Sequence, residues 1–177
     1  FMPHFPGCGV GGHCIPVDPY YLIDYAKKNG FRHEFLSLAR KINSNMPKYV
    51  IDLLVANLQK INCKISGTRV AVLGLAYKSD IDDDRESPSY KIINSLQNLG
   101  AEVVTYDPFI KSSPAVNLKA TLAGSQAVII ATAHSEFRRL QPANFLSAGV
   151  KIIIDGRNCL NKETFIRSDL LYQGIGR

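Results

Sequence analysis

No stretch of this 177-residue chain approaches the roughly 18 consecutive apolar residues that a bilayer-crossing helix needs. Its start lacks the basic segment and apolar run of a secretory signal, so neither a membrane partner nor export is expected. It opens at Phe1-Met2-Pro3, inside what reads as a motif, so upstream sequence is expected. No arginine or lysine run is interleaved with aromatics. The 21 basic residues outnumber the 15 acidic ones by a scattered +6, which argues against nucleic acid and suits a small polyanion such as a nucleotide diphosphate. The four cysteines, Cys8, Cys14, Cys63 and Cys159, form no C-x-x-C pair and match no zinc framework. Cys8 and Cys14 could be drawn as a redox pair, but without a secretion signal four free thiols in a reducing cytoplasm are expected. At 46% hydrophobic and 20% charged, the chain can bury the core of one ordinary domain plus an appendage.

What is present begins with Pro6-Gly7-Cys8-Gly9-Val10-Gly11-Gly12-His13-Cys14-Ile15-Pro16-Val17-Asp18-Pro19. Four glycines between positions 7 and 12 give a backbone that packs closely against a ligand and adopts positive φ at little cost. Cys14 ends the run and Asp18 follows four residues later. That spacing suits a thiol nucleophile with a carboxylate close by to orient water or take a proton. The alternative is a glycine-rich turn with a buried, inert cysteine.

The chain divides into a loop over residues 1–19, a helical segment over 20–66 and an α/β domain over 67–177. In the helical segment Tyr21, Leu22, Tyr25 and Ala26 recur at helical spacing, and Phe35, Leu38, Ala39, Ile42 and Met46 follow after Gly30. Pro47 is expected to restart the helix from a first-turn position, with Val50, Leu53, Leu54 and Leu58 continuing the stripe. Such a helix packs on another, within the subunit or across a dimer. From Gly67 the period changes. Runs at 69–74, 102–106, 127–131 and 151–155 read as parallel strands, with a helix from Ser87 (N-cap) and Pro88 to about Leu99, stopped at Gly100, and helical pieces near 118–124 and 136–147. Strands alternating with helices predict a Rossmann-like parallel sheet whose ligands sit at the strands' carboxyl ends.

The residues at those ends follow from this. Gly74-Leu75-Ala76-Tyr77-Lys78 opens like a dinucleotide turn but is neither G-x-G-x-x-G nor a P-loop. Lys78 is a candidate for an anionic ligand, against a solvated surface charge. The carboxylates of Asp80-Ile81-Asp82-Asp83-Asp84-Arg85-Glu86 match no calcium loop, no metal is expected, and they are read as capping the next helix. Arg85 either reaches a phosphate at that helix start or forms a local ion pair. Arg157, in Asp155-Gly156-Arg157-Asn158, is expected to converge with Lys78 on one crevice. Asp107 reads as a turn-former, and His134 as a polar loop residue.

Taken together, these motifs resemble the UDP-glucose/GDP-mannose dehydrogenase family. Gly7-Cys8-Gly9-Val10-Gly11-Gly12-His13-Cys14-Ile15-Pro16-Val17-Asp18-Pro19-Tyr20-Tyr21-Leu22 looks like its cysteine segment. Ala39-Arg40-Lys41-Ile42-Asn43 through Met46-Pro47-Lys48-Tyr49-Val50 looks like its central helix. Gly74 to Lys78, Arg85-Glu86-Ser87-Pro88 and Asp155 to Asn158 look like its C-terminal domain. The wording Gly-Gly-His-Cys is closer to the branch acting on UDP-N-acetylhexosamines. Cys8 stands where the family usually has proline.

The resemblance implies the C-terminal half of an NAD-dependent enzyme, with most NAD contacts on an upstream domain and a homodimer formed through the central helix. It implies oxidation of the sugar C6 alcohol to a uronate for surface polysaccharide, through a thiohemiacetal and a thioester. On that reading Cys14 is the nucleophile and Asp18 serves the hydrolytic water. Gly9, Gly11, Gly12, Lys78 and Arg157 hold the UDP-sugar, and Arg85 reaches the cofactor pyrophosphate or a domain interface. The fragment alone is expected to be inactive. Competing readings are a nucleotide-sugar-binding module without redox chemistry and a helix-mediated scaffold over residues 35–58.

Overall fold

The apolar stripe behind the glycine-rich loop folds into α1 (Asp18–Lys28) and α2 (Glu34–Lys60). The computed structural model describes residues 5–111, 113, 115 and 117–176. The opening Phe1-Met2-Pro3, and His4 of the loop segment, lie outside the described residues. Pro47 does not restart a helix: it sits inside α2, which runs unbroken through it. A proline there removes the N–H that would bond Asn43 O, at a cost of about 3 kcal/mol. Packing outweighs that cost. Pro47, Val50, Ile51, Leu54 and Leu58 are all buried against the domain that follows, and each fully buried aliphatic side chain contributes roughly 1.5–3 kcal/mol. Asn43 O, left without its helical partner, lies against Gly9.

That domain is built on β1 (Arg69–Leu73), α3 (Pro88–Asn98), β2 (Glu102–Tyr106), α4 (Leu118–Leu122), β3 (Ala127–Ile130), α5 (Ser135–Arg138), α6 (Pro142–Leu146), β4 (Ile152–Asp155), α7 (Lys162–Ile166) and β5 (Leu171–Gly174). The five strands are all parallel, in the order β2-β1-β3-β4-β5. The fold is therefore α/β, as expected, with one strand more than the sequence reading gave. Alternation along each strand feeds two cores. Val70 and Val72, with Ala127, Ile129, Ile152 and Ile154, meet α2 and α3 on one face. Ala71 and Leu73, with Val128, Ile130 and Ile153, meet Phe137, Phe145 and Phe165 of the short helices on the other. Both faces are covered, which is why the strands read as continuous apolar runs.

Ser87 caps α3 by accepting the Ser89 N–H, and Pro88 occupies its first turn. The preceding carboxylates are not its caps. Asp83 pairs with Arg85 and Asp80 accepts from Ser135, leaving Asp84 to reach the helix through the Tyr90 hydroxyl. The chain order reverses between β1 and β3, so the carboxyl ends of those two strands form the ligand-binding switch point of such a sheet.

Candidate functional site

Cys14 is exposed at the end of the glycine loop, with its Sγ 3.8 Å from His13 Nδ1. Its carbonyl accepts the N–H groups of both Val17 (3.0 Å) and Asp18 (2.8 Å). This turn leads straight into α1, so Cys14 and Asp18 stand one helical turn apart on the entrance to that helix. Asp18 is exposed in the first turn, where a carboxylate is favoured by the helix dipole. The inert-cysteine alternative applies to Cys8 instead. Cys8 is buried on the α2 face of the core, its Sγ lying 3.7 Å from Gly156 O. Burial pushes its thiol up to about 12, against the lowering field of Arg157.

Gly11 and Gly12 are buried against the chain itself. A Cβ on Gly11 would lie 2.7 Å from Glu86 O, and one on Gly12, at φ 93°, 2.8 Å from the Tyr77 ring. The close approach they permit is between the cysteine loop and the loop after β1, and the Gly12 N–H donates to Arg85 O (2.9 Å). Gly9 is half-buried and packs on Pro88. Arg85 takes the ion-pair alternative: its Nε and Nη2 grip Asp83 at 3.0 and 2.6 Å, on an exposed side chain.

A cavity of about 560 Å³ opens at the carboxyl ends of the strands, lined by Phe5, Pro6, Ser79, Arg138, Arg157 and Cys159 among others. Ser79 lines it, whereas its neighbour Lys78 is exposed. The second cation on the wall beside Arg157 is Arg138, whose Nε donates to Ala133 O (3.0 Å) and so anchors the guanidinium at the end of β3. No local signal marks Arg138, because it sits in the one-turn helix α5 with no motif of its own. Arg157 also borders a second groove of about 490 Å³ with Gly7, Gly9 and Asn43, which joins the strand ends to the cysteine loop. Its position is fixed by Asp155, fully buried, which accepts the N–H groups of Arg157 (3.1 Å) and Leu160 (2.8 Å) and the Tyr172 hydroxyl (2.9 Å).

Asp107 and His134 are more than a turn-former and a polar loop residue. Both side chains are fully buried and bonded to each other, His134 Nε2 to Asp107 Oδ2, at 2.9 Å. Asp107 also accepts the N–H groups of Leu75 (2.6 Å), Ala76 (2.9 Å), Phe109 (2.8 Å) and Ile110 (3.1 Å). Burial works against its charge, but the bonds from His134 and the backbone amides prevail and hold its carboxyl well below the usual carboxylate range. The amides after β1 that would cradle a dinucleotide pyrophosphate are thus taken by the chain's own carboxylate. Together with the absence of the glycine fingerprint, this means that the first turn of the sheet does not fit NAD.

The description "UDP-glucose/GDP-mannose dehydrogenase family, UDP binding domain" matches residues 71–162, and the same family's central domain matches residues 1–45. The chain belongs to the UDP-glucose/GDP-mannose dehydrogenase family. Among its relatives, the UDP-N-acetyl-D-mannosamine dehydrogenase of Pyrococcus horikoshii is 42% identical over 98% of this chain and 40% of its own length. The UDP-N-acetyl-D-glucosamine 6-dehydrogenase of Pseudomonas aeruginosa is 34% identical over 84% of this chain and 37% of its own. The solved UDP-D-ManNAc dehydrogenase of Pyrococcus horikoshii superposes with a TM-score of 0.90 at 39% identity, covering 100% of this chain and 41% of that one. The NDP-N-acetyl-D-galactosaminuronic acid dehydrogenase of Methanosarcina mazei Go1 superposes at 0.91 with 33% identity, covering 98% and 40%. The chain spans about two fifths of the length of the relatives it matches. Among the described residues no helix is long and apolar enough to cross a membrane.

Proposed function

We propose that this chain is the substrate-binding, thiol-bearing part of an NAD-dependent UDP-N-acetylhexosamine 6-dehydrogenase that makes a uronate for surface polysaccharide. The family membership and the naming of its relatives as dehydrogenases of N-acetylated nucleotide sugars support the reaction class. The observation that carries the reading is the exposed Cys14, one turn from Asp18, on the same glycine loop whose Gly7 and Gly9 border the groove at Arg157 beside a cavity bearing two arginines. A binding module without chemistry has no use for an accessible thiol in that position.

The division of labour follows the placement. Residues 5–19 present the thiol, residues 20–66 supply the helical platform, and residues 67–176 hold the nucleotide. Arg157 and Arg138 face the diphosphate, with Lys78 closing on it from the loop after β1. Cys14 adds to the C6 aldehyde and keeps it bound as a thiohemiacetal between the two oxidations. Asp18 takes a proton from the water that releases the acid from the thioester. NAD would accept the hydrides and would be held mainly outside this chain, with Arg85 the residue here that would reach its pyrophosphate or the domain interface. The four unpaired thiols suit a reducing, cytoplasmic setting.

Calorimetric titration tests this reading directly. UDP, UDP-GlcNAc and UDP-ManNAc are expected to bind, with the N-acetylated sugars tighter than UDP-glucose. Arg157→Gln is expected to weaken UDP about tenfold or more, the loss of one charge-assisted contact. An absence of heat with every UDP ligand would overturn the proposal.

A second copy of the chain is the proposed cover for the amino-terminal half of α2. Phe35, Leu38 and Ile42 are exposed there at 81%, 54% and 56%, as are Tyr21 and Tyr25 of α1. Exposed apolar side chains recurring on one helix in this way mark an interface. Light scattering coupled to size exclusion is expected to report a dimer that Leu38→Glu converts to a monomer. A monomeric wild-type protein would remove the dimer from the account.

A further inference from the structure

We propose that His134 is a positioning residue for the nucleotide sugar: together with Asp107 it pins both ends of the loop that carries Lys78. This rests on the reading above that Lys78 meets the diphosphate. The loop leaves β1 at Gly74 and returns toward α3. At its near end the Leu75 and Ala76 amides donate to Asp107 Oδ2, and the Ala76 carbonyl accepts from Thr132 Oγ1 (2.5 Å). At its far end the Asp80 N–H donates to His134 Nδ1 (2.9 Å), and the Asp80 carboxylate accepts from the Ser135 N–H (2.8 Å) and hydroxyl (2.6 Å). Tyr77, Lys78 and Ser79 lie between these two anchors.

The hydrogen bonds fix the state of the ring. A backbone N–H can only donate, so Nδ1 is an acceptor without a hydrogen. Nε2 therefore carries the hydrogen and donates it to Asp107 Oδ2. One neutral imidazole joins the carboxylate that holds the start of the loop to the amide that ends it. The ring cannot turn away. Phe109 stacks on one side at 5.1 Å between centroids and Phe137 meets it edge-on at 5.3 Å. Asp80 itself sits at φ 60°, a left-handed conformation that an aspartate adopts at a cost and that these bonds offset. Elements β1, β2 and β3 thus agree on one loop geometry, and the exposed Lys78 inherits it.

Two substitutions separate positioning from bulk stability. His134→Asn places an amide oxygen near the Nδ1 site and can keep the bond from the Asp80 N–H. Gln reaches the Nε2 site and gives up the Asp80 bond. Both are expected to lower the melting temperature. His134→Gln is expected to weaken UDP about tenfold, whereas His134→Asn stays within about threefold of wild type. In a double-mutant cycle the loss caused by Lys78→Ala is expected to shrink in the His134→Gln background, because an unpositioned lysine contributes less. Should His134→Gln fail to fold, Asp80→Gly removes the carboxylate anchor from the surface and tolerates φ 60°. It too must weaken UDP and lose coupling to Lys78. Equal affinity losses for Gln and Asn, independent losses for Lys78 and His134, or unchanged UDP affinity in a less stable protein would each overturn the inference. A Lys78→Ala variant that binds UDP normally sinks this inference alone, whereas a wild-type chain that binds no UDP ligand sinks the proposed function with it.

Discussion

Cys14→Ser, made in the full-length dehydrogenase, is expected to abolish uronate formation while UDP-sugar affinity stays within about twofold of wild type. The serine hydroxyl matches the thiol in size but is a far weaker nucleophile at neutral pH, so the aldehyde is no longer captured. A loss of about a thousandfold or more is expected from removing a covalent route. Binding is spared because Cys14 is absent from the lining of both the strand-end cavity and the groove beside it. Alkylation provides an independent check on the thiol. Cys14 is exposed, Cys63 is half-buried, and burial pushes both Cys8 and Cys159 up to about 12, with Asp155 adding to the rise at Cys159. Iodoacetamide near pH 8 should therefore label Cys14 first, as read by peptide mass, and leave Cys8 unmodified in the folded protein. Undiminished uronate production by the serine variant would remove Cys14 from the chemistry.

The parts of this molecule that were legible in the sequence are those where one local rule decides. β1, β3 and β4 are short apolar runs buried on both faces, and they, with the partly buried edge strand β2, stand where the apolar pattern put them. Ser87 and Pro88 announce α3 by cap chemistry alone. β5 escaped notice because Leu171-Tyr172-Gln173-Gly174 is a half-buried edge strand, whose pairing with β4 comes from the sheet and not from its own composition. Pro47 was misread because a breaker inside a helix is tolerated when apolar residues on both sides are buried. Lys78 was paired with Arg157 on the strength of strand order. That logic finds the edge of the sheet but not every side chain that lines it, and so it does not name Arg138 on the cavity wall. His134 is undervalued in the sequence because nothing local distinguishes a loop histidine from one whose donor and acceptor partners are 54 and 27 residues away in the chain.

The same long-range bonding makes Asp107→Ala the most destabilising substitution expected in this chain. It would strip the buried acceptor from the Leu75, Ala76, Phe109 and Ile110 amides and from His134 at once. Each buried donor left without its acceptor costs about 1–3 kcal/mol, and several stranded at once remove a large part of the roughly 5–15 kcal/mol that holds a domain together. Asp107→Asn keeps the volume and one acceptor oxygen, but its NH₂ would face donors, so an intermediate loss is expected. The dependence on pH has a definite sign. The folded carboxyl is held below its unfolded value of about 3.9. Its contribution is therefore complete above that value and drains away as pH falls through the folded value. Urea unfolding of the wild type should weaken on going from pH 7 to pH 3, and Asp107→Asn should lose less over the same interval because it has no proton to take up. A wild type and Asn variant with parallel acid profiles, or an Ala variant within about 1 kcal/mol of wild type at pH 7, would show that the loop after β1 is held by something other than this carboxylate.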